Sequence, residues 1–280
     1  MNPFKLRKVL CLSAILLCLC ACQPLSTEGG GGTQEPAEPV LAMSEDGVHP
    51  QLIAHGGGAV YGYRLTNSLE ALNHSYDEGF RFIEVDLNET SDGRIALIHD
   101  WIGTAKRLLG EEGVRTAAEL HSAETMAGLT FLTLNDLLIW LDEHPDCTIV
   151  TDIKQDNNCQ LLQQLANESG DQIGRFIPQA YTFEEYDQIK KLGYDQVILT
   201  LYRITATPEE LLDFEEDKDP WAITIPEEQL GQYLPALTGK GIATYAHSVN
   251  TVDTLDQWHE MGLTGIYTDY FLPSHWIYEN

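Results

Sequence analysis

Short runs of apolar and β-branched residues alternate with amphipathic segments from Gln51 almost to the end of the chain. Runs of this length are typical of buried strands, whereas apolar positions that recur every three or four residues are typical of helices. The predicted strands are QLIAH, FRFIEVDL, CTIVTDIK, RFIPQAY, QVILTLY, WAITI, IATYAHSV and LTGIYTDYF, near residues 52, 83, 149, 177, 198, 223, 244 and 266. The predicted helices are SLEALNHSYDEG, LTLNDLLIWLDEH, CQLLQQLANESG, FEEYDQIKKLG, PEELLDFEED, PEEQLGQYLPALTGKG and TLDQWHEMG.

Strands that are separated by single helices lie parallel, because each crossover returns the chain to the same edge of the sheet. Eight such units predict an α/β protein with a (β/α)8 TIM barrel over residues 49–280. An open, doubly wound sheet is the alternative arrangement of the same elements.

The stretch IEVDLNETSDGRIALIHD departs from this alternation, because the chain between Asp86 and His99 is too short for a crossover helix. Asp92-Gly93 is a strong signal for a two-residue hairpin loop. Such a loop would place Asp86 directly opposite His99, with Glu84 on the same face of its strand. We therefore expect an extra β-hairpin strand after the second barrel strand, which returns a histidine beside two carboxylates.

The beginning of the chain predicts export. Lys5, Arg7 and Lys8 precede a short apolar run, which indicates a signal peptide over residues 1–21. Its end, Leu19-Cys20-Ala21-Cys22, resembles the bacterial lipobox, and this resemblance implies a lipid on Cys22; the alternative is an ordinary signal peptide rich in cysteine. Residues 22–48 are rich in Gly, Pro, Ser and Glu, which predicts a flexible linker. We expect an exported lipoprotein anchored to the outer face of a bacterial cell membrane.

Two of the six cysteines, Cys147 and Cys159, lie outside the predicted signal peptide and linker. A predicted strand separates them, and six residues of strand rise about 20 Å. A disulfide needs Cα atoms within about 7 Å. We therefore expect two unpaired thiols.

The net charge of −27 excludes nucleic acid and anionic membrane surfaces as expected partners, because both would be repelled. An anionic substrate would need a strong local cation to overcome this field. A metal site is therefore plausible on charge alone.

Active sites of TIM barrels lie at the carboxyl ends of the strands. The polar residues at the predicted strand ends are His55, Glu84, Asp86, His99, Asp152, Lys154, Gln179, Tyr245, His247 and Asp269. Clustered oxygen ligands without cysteine favour Mg2+ or Ca2+ over zinc. Two histidines beside such a cation suit proton transfer, and a lysine suits an anion. The set therefore favours phosphodiester cleavage.

The motifs IAHGGG, TNSLEAL, IEVDLNETSDGRIALIHD, TDIK, HSVN and GIYTDYF resemble those of the glycerophosphodiester phosphodiesterase family. This family belongs to a wider group of barrel phospholipases that includes phosphatidylinositol-specific phospholipase C. The resemblance implies an acid-base pair formed by His55 and His99. It further implies a divalent cation bound by Glu84, Asp86 and Asp152, with Lys154 on the phosphate. Further candidates for contacts with substrate or phosphate are Gly56, Gln179 and His247.

The chain departs from the family pattern at several positions. Gly56 stands where the family has an arginine that contacts phosphate, and Arg64 or His247 could replace it. Asp152 stands where glutamate is usual, and His247 where tryptophan is usual. Leu65-Thr66-Asn67-Ser68 replaces Pro-Glu-Asn-Thr, and Asn67 with Glu70 predicts the capping box of a helix.

The resemblance implies metal-dependent hydrolysis of glycerophosphodiesters to sn-glycerol 3-phosphate and an alcohol. One alternative is a phospholipase D-like or sphingomyelinase D-like enzyme that acts on intact or lyso-phospholipids, since Asp152-x-Lys154 also resembles that group. Such an enzyme would need an exposed apolar rim near the site. The other alternative is a non-catalytic barrel that binds glycerol-phosphate polymers. No protein partner is predicted.

Overall fold

The computed structural model describes residues 42–44, 46–156 and 158–275, apart from the side chains of residues 253 and 254. The predicted signal peptide, Cys22 and most of the linker lie outside these residues and stay predictions. At the end of the predicted linker, Met43 pairs with Pro50 as an antiparallel bridge. The amide of Gln51 donates to the carbonyl of Ala42 at 2.7 Å. Contacts with the barrel thus begin before residue 49, because the chain turns back on itself here.

Eight parallel strands form a closed barrel, and one antiparallel strand extends it. The barrel closes because its first strand in the chain pairs with the second on one side and with the last on the other. All eight predicted barrel strands are confirmed, and closure rules out the open sheet. The strands are β1 Leu52–Ala54, β2 Phe82–Glu89, β3 Ile95–Leu97, β4 Thr148–Asp152, β5 Phe176–Ala180, β6 Ile198–Thr200, β7 Ala222–Pro226, β8 Thr244–His247 and β9 Gly265–Thr268.

Helices connect the parallel strands and cover the outside of the barrel, as the amphipathic segments predict. Two short helices, Gly103–Leu109 and Ala117–His121, lie between β3 and the next barrel strand. They have no counterpart among the predicted helices. No helix of the described chain has the length and apolar content needed to span a bilayer. The helices are α1 Leu69–Asp77, α2 Gly103–Leu109, α3 Ala117–His121, α4 Leu134–Glu143, α5 Asn158–Ser169, α6 Phe183–Lys191, α7 Pro208–Lys218, α8 Leu230–Thr238 and α9 Val252–Glu260.

The hairpin of β2 and β3 exists, but its predicted register is wrong by one residue. Thr90 and Arg94 close the loop with a main-chain hydrogen bond of 2.8 Å, which leaves three residues between them. Gly93, the last of the three, has a φ of 74°, as expected of a three-residue hairpin loop. The carbonyl of Asp86 therefore accepts from the amide of Ile98 at 3.0 Å, and His99 is not its direct opposite.

The two faces of the barrel strands pack differently. The outer faces join the helices in the main core, whereas the inner faces form a cluster of Ile53, Val150, Ile177, Ile198, Ala222, Tyr245 and Tyr267, with the partly buried Phe82 packed against it. Because side chains alternate between faces, the residue two positions further along a strand also faces the interior. In every strand of the barrel that residue is polar. We call this set the polar ring: His55, Glu84, Asp152, Gln179, Thr200, Thr224, His247 and Asp269.

The two cysteines of the described chain are free, as predicted. Cys147 is buried just before β4, and Cys159 is half-buried on α5. Burial raises the pKa of the Cys147 thiol to about 12. This thiol therefore stays protonated near neutral pH and is a poor nucleophile.

Candidate active site

Three buried carboxylates meet at the carboxyl ends of β2 and β4. Asp86 and Asp152 are paired neighbours on these two strands, and Glu84 lies one inward-facing position earlier on β2. One oxygen from each lies within 4.8 Å of the others. Glu84 Oε2 accepts from the amide of Gly56 at 2.6 Å, whereas Glu84 Oε1 is buried with no hydrogen-bond partner in the described structure.

Charge in this cluster is only partly balanced. Burial raises the pKa of the Glu84 carboxyl well above its ordinary value, and the carboxylates of Asp86 and Asp152 raise it further. Lys154 Nζ lies 2.8 Å from Asp86 Oδ1 and 2.7 Å from Asp152 Oδ2. One ammonium facing three carboxylates leaves an excess of negative charge. These oxygen donors, with Glu84 Oε1 unpartnered, fit a hard divalent cation such as Mg2+ or Ca2+.

Asn67 belongs to this site, so the predicted capping box is wrong. The side chain of Ser68 caps α1 instead, and Glu70 accepts from the amide of Thr130 at 2.8 Å. Asn67 Nδ2 donates to Asp86 Oδ2 at 2.9 Å, and its Oδ1 accepts from the amide of Asp86 at 2.9 Å. Asn67 therefore fixes the orientation of Asp86, one of the three clustered carboxylates.

Two further contacts in the site involve residues without a predicted role. Tyr181 Oη donates a hydrogen bond to Asp152 Oδ1. Asn250 Nδ2 donates to Asp269 Oδ2 at 2.8 Å. Tyr181 directly follows β5, and Asn250 lies shortly after β8 in the HSVN motif. Position near a strand end was the only signal that could have identified them.

His55 and Asp269 form a buried pair. His55 directly follows β1, and Asp269 directly follows the neighbouring strand β9. His55 Nδ1 lies 3.0 Å from Asp269 Oδ1. Burial alone would raise the pKa of the Asp269 carboxyl, but the hydrogen bond and charge of His55 hold it below its ordinary value. The ionised carboxylate accepts the Nδ1 proton, which favours the tautomer of the neutral ring that has its lone pair on Nε2.

His99 has an analogous partner in Asp100. His99 Nδ1 lies 2.8 Å from Asp100 Oδ2. Asp100 Oδ1 accepts from the amide of Ile102 at 2.9 Å, next to the first turn of α2. The charge of His99 helps to lower the pKa of Asp86, together with Lys154, against the effect of burial. His99 therefore lies within electrostatic reach of the carboxylate cluster despite the shifted register.

His247 contacts the other side of His55. The two ring centroids lie 4.4 Å apart at an interplanar angle of 80°. Burial of the ring lowers the pKa of His247 well below its ordinary value, and the charges of His55 and Lys154 lower it further. The ring is therefore neutral near pH 7, and a neutral imidazole cannot replace the positive charge of an arginine.

The remaining candidates occupy different parts of the mouth. Gln179 is 3% exposed, and its Nε2 has no partner within the described part of the chain. Gly56 adopts a φ of 56°, and its main-chain amide donates a hydrogen bond to Glu84 Oε2. Arg64 is an exposed cation near Asp269: its side chain is 57% exposed, and Nη1 lies 3.4 Å from Asp269 Oδ2. Tyr245 is buried in the interior cluster, below the polar ring.

Sequence comparison extends over the part of the chain that carries most of these residues. A model of the glycerophosphoryl diester phosphodiesterase family matches residues 56–208, more than half of the chain. The chain belongs to this family. The probable glycerophosphodiester phosphodiesterase 2 of Mycobacterium tuberculosis (strain ATCC 25618 / H37Rv) is 31% identical over 126 residues, 40% of this chain. The match spans 45% of that relative, so less than half of its length is represented.

Solved structures of phosphodiesterases share the barrel. The Thermotoga maritima glycerophosphodiester phosphodiesterase has a TM-score of 0.63 at 20% identity, covering 79% of this chain and 95% of that one. A Galdieria sulphuraria protein described as a glycerophosphodiester phosphodiesterase gives 0.62 at 18% identity, over 80% and 95%. An Oleispira antarctica phosphodiesterase in complex with the product sn-glycerol-3-phosphate gives 0.63 at 16% identity, over 79% and 93%. At these identities the likeness shows the fold of the family.

Proposed function

We propose that this chain hydrolyses glycerophosphodiesters to sn-glycerol 3-phosphate and an alcohol, using Mg2+ or Ca2+ held by Glu84, Asp86 and Asp152. The observation that carries the proposal is the convergence of these buried carboxylates with two histidines that each face a carboxylate at Nδ1. When bound, the cation supplies positive charge that stabilises the charge developing on the phosphoryl oxygens.

His55 and His99 transfer the protons. Because each ring is held at Nδ1, each has Nε2 available for the substrate. One histidine accepts the proton of the attacking oxygen, which belongs to water or to the neighbouring glycerol hydroxyl. A new bond to phosphorus forms as the bond to the alcohol breaks, and the other histidine protonates the departing alkoxide. When the glycerol hydroxyl attacks first, water opens the cyclic product.

Positive side chains bind the anionic part of the substrate. Lys154 lies between Asp86 and Asp152 and supplies an ammonium next to the presumed phosphate position. Arg64 replaces the arginine that the family has at position 56, because it is an exposed cation next to Asp269. His247 does not share this role, since its ring is neutral.

We further propose that the protein is exported and tethered to the outer face of a bacterial cell membrane through lipid on Cys22. The support is the basic and apolar pattern of residues 1–21, the lipobox-like ending and the composition of residues 22–48. Metabolic labelling with a fatty acid tests this proposal. Label on the wild type and none on Cys22→Ser is expected, and equal labelling of both would contradict it.

A second candidate function is hydrolysis of intact or lyso-phospholipids. Exposed apolar side chains follow several strands at their carboxyl ends: Tyr61 is 67% exposed, Ile102 67%, Tyr202 46% and Tyr270 55%. Apolar side chains at the mouth of a barrel favour a substrate that carries acyl chains or lies in a lipid surface. Faster turnover of lysophosphatidylcholine than of glycerophosphocholine would support this candidate over the first.

The test of the proposed function uses the soluble chain that begins at Gln23. It is assayed on glycerophosphocholine and glycerophosphoglycerol with Mg2+, with Ca2+ and with a chelator. We expect turnover only with a cation, and a loss of at least about a hundredfold in Glu84→Gln. Glu112→Gln, the same change in an exposed surface ion pair, serves as the control and should retain the wild-type rate.

A negative result in this assay would be equally informative. If the wild type turns over neither substrate with either cation, hydrolysis is excluded as the function. Binding of a glycerol-phosphate polymer without turnover would then identify the chain as the non-catalytic barrel.

A further inference from the structure

Outside the carboxylate cluster, the polar ring contains buried polar atoms that have no role in the proton transfers or in holding the cation. His247 Nε2, Gln179 Nε2 and Thr200 Oγ1 are shielded from solvent and have no hydrogen-bond partner in the described structure. They lie on β8, β5 and β6 and face the barrel interior. Buried polar atoms without partners are costly, so such a set indicates groups that a ligand satisfies.

The position of the proton on His247 follows from its contact with Tyr202. Tyr202 Oη lies 3.0 Å from the main-chain carbonyl of His247 and 2.7 Å from Nδ1 of the same residue. A carbonyl oxygen can only accept, so the single phenol proton is donated to it. The phenol oxygen then accepts from Nδ1–H. This arrangement leaves a lone pair on Nε2, which makes Nε2 a hydrogen-bond acceptor.

A neutral acceptor selects a particular kind of partner. The oxygens of a phosphodiester carry no proton, so they cannot donate to Nε2 of His247. A trimethylammonium head group has no N–H, and an alkyl chain has no polar hydrogen at all. In a glycerophosphodiester with a trimethylammonium head group, the glycerol hydroxyls are therefore the groups that can donate a hydrogen bond to this atom.

We propose that His247 Nε2 accepts a hydrogen bond from a free hydroxyl of the substrate glycerol, so that this departure from the family pattern helps to determine how the glycerol binds. This inference rests on the proposed function and deepens it. His247 contacts His55, which places the hydroxyl next to one of the two proton-transferring residues. Acylation of that hydroxyl removes its proton and leaves Nε2 without a partner.

Gln179 and Thr200 provide further buried polar groups inside the barrel. Gln179 is 3% exposed and Thr200 1% exposed. The amide nitrogen of Gln179 donates, and the hydroxyl of Thr200 donates or accepts. Together with the acceptor on His247, they suit the hydroxyl groups of glycerol, which both donate and accept. A buried polar lining of this kind discriminates strongly against a substrate that lacks the matching hydroxyl.

The test compares sn-glycerol 3-phosphate with propyl phosphate as competitive inhibitors of glycerophosphocholine hydrolysis, because both carry a phosphate monoester and only the first has glycerol hydroxyls. The quantity measured is the ratio of the two inhibition constants, with the full-length chain in detergent. We expect the wild type to bind sn-glycerol 3-phosphate more tightly than propyl phosphate by about a hundredfold or more. His247→Phe should lower this ratio at least about tenfold, because it removes the acceptor.

Three further variants separate recognition from general damage. Tyr202→Phe removes the phenol oxygen that holds Nδ1–H, so the ratio should fall, but by less than in His247→Phe. His247→Gln offers an acceptor oxygen and should recover part of the ratio. Tyr233→Phe is the matched control: it removes another hydroxyl that donates to a main-chain carbonyl, at 3.0 Å, and should leave the ratio unchanged.

The possible failures are distinguishable. An unchanged ratio in His247→Phe and Tyr202→Phe, with the wild type active on glycerophosphocholine, overturns the inference alone. If His247→Phe does not fold, as judged by its thermal melting curve, Tyr202→Phe and His247→Gln decide the outcome. Absence of glycerophosphocholine turnover by the wild type overturns the proposed function and this inference with it.

Discussion

Gly56 occupies a backbone conformation that excludes the arginine found at this position in the family. Its φ is 56°, and a Cβ atom built here would lie 2.7 Å from Leu65 Cδ2 and 2.8 Å from Leu65 Cα. The close approach allows the Gly56 amide to reach Glu84 Oε2. The loss of the arginine is therefore tied to the local packing of the loop after β1.

Restoring the arginine should harm the protein. Gly56→Arg combines an unfavourable left-handed backbone with overpacking against Leu65, and we expect the free energy of unfolding to fall by about 2 to 4 kcal/mol. Activity should fall as well. In Gly62→Arg the φ is also positive, at 81°, but the added Cβ meets nothing within 4 Å. This control should lose only about 1 kcal/mol in urea denaturation, and equal losses in both variants would contradict the steric argument.

In the proposed mechanism, Asp269 positions His55 through the contact between Oδ1 and Nδ1, 3.0 Å apart. Asp269→Asn keeps the shape of the side chain, but its amide can present a donor to Nδ1 and so reverse the tautomer of His55. We expect kcat to fall about a hundredfold or more, with KM much less affected. Asp136→Asn breaks a similar contact, to His121 at 2.8 Å on the surface, and should keep the wild-type kcat. A loss confined to KM would argue against the positioning role.

The residues of the site differ in how far the sequence could reveal them. Glu84, Asp86 and Asp152 could be predicted, because strand periodicity and position at strand ends are local properties of the chain. Asn67 could not, since its local pattern matches a helix cap. Its φ of 51° and its two hydrogen bonds to Asp86 depend on a strand far along the chain.

At the scale of elements, the barrel strands were predictable because short apolar runs alternate with helical patterns along most of the chain. The register of the β2–β3 hairpin was not, because Asp-Gly fits loops of two and of three residues. The structure has the three-residue loop, in which Gly93 takes the left-handed position. One residue of loop length decides which side chain lies opposite Asp86.

Gly93 therefore provides a test of the hairpin. Gly93→Ala places a Cβ in open space but keeps a φ of 74°, so only backbone strain opposes it. We expect unfolding free energy to fall by about 1 kcal/mol in urea denaturation. Gly231→Ala is the opposite case, because Gly231 lies in α8, has open space for a Cβ and has no positive φ. It should be neutral or stabilising, and the same sign for both variants would contradict the loop assignment.

The helices α2 and α3 escape prediction for a physical reason. Helix α3 has only five residues and buries only Leu120, so it has little apolar periodicity. A capping box of Thr116 and Glu119 stabilises its first turn. Near the start of α2, the Asp100 carboxylate accepts from the main-chain amides of Ile102 and Thr104. Such short helices depend on caps and tertiary contacts more than on amphipathic pattern.

At the scale of the whole molecule, a strongly acidic protein contains a site built for an anion. The net charge of −27 repels an anionic substrate at long range, whereas Lys154, Arg64 and the proposed cation would attract it at the mouth. The sequence revealed this opposition through composition. It could not show which cations lie at the mouth, because that depends on the closure of the barrel.

Ionic strength should therefore affect substrates according to their charge. Raising salt from about 10 to 150 mM screens the long-range repulsion. We expect kcat/KM for anionic glycerophosphoglycerol to increase, while the value for zwitterionic glycerophosphocholine changes much less. Initial rates measured over this range check the prediction. A decrease for glycerophosphoglycerol would mean that the local cations dominate the approach of the substrate.

The most direct test of the proposed hydrolysis is to follow glycerophosphocholine by phosphorus NMR with the chain that begins at Gln23 and either Mg2+ or Ca2+. We predict that the wild type converts the phosphodiester signal into that of glycerol 3-phosphate. His55→Gln should do so at least about a hundredfold more slowly, and the surface variant His121→Gln should match the wild type. If the wild type forms no phosphomonoester, the proposed hydrolysis is contradicted. Equal rates for the wild type and His55→Gln would contradict the role of His55 in proton transfer.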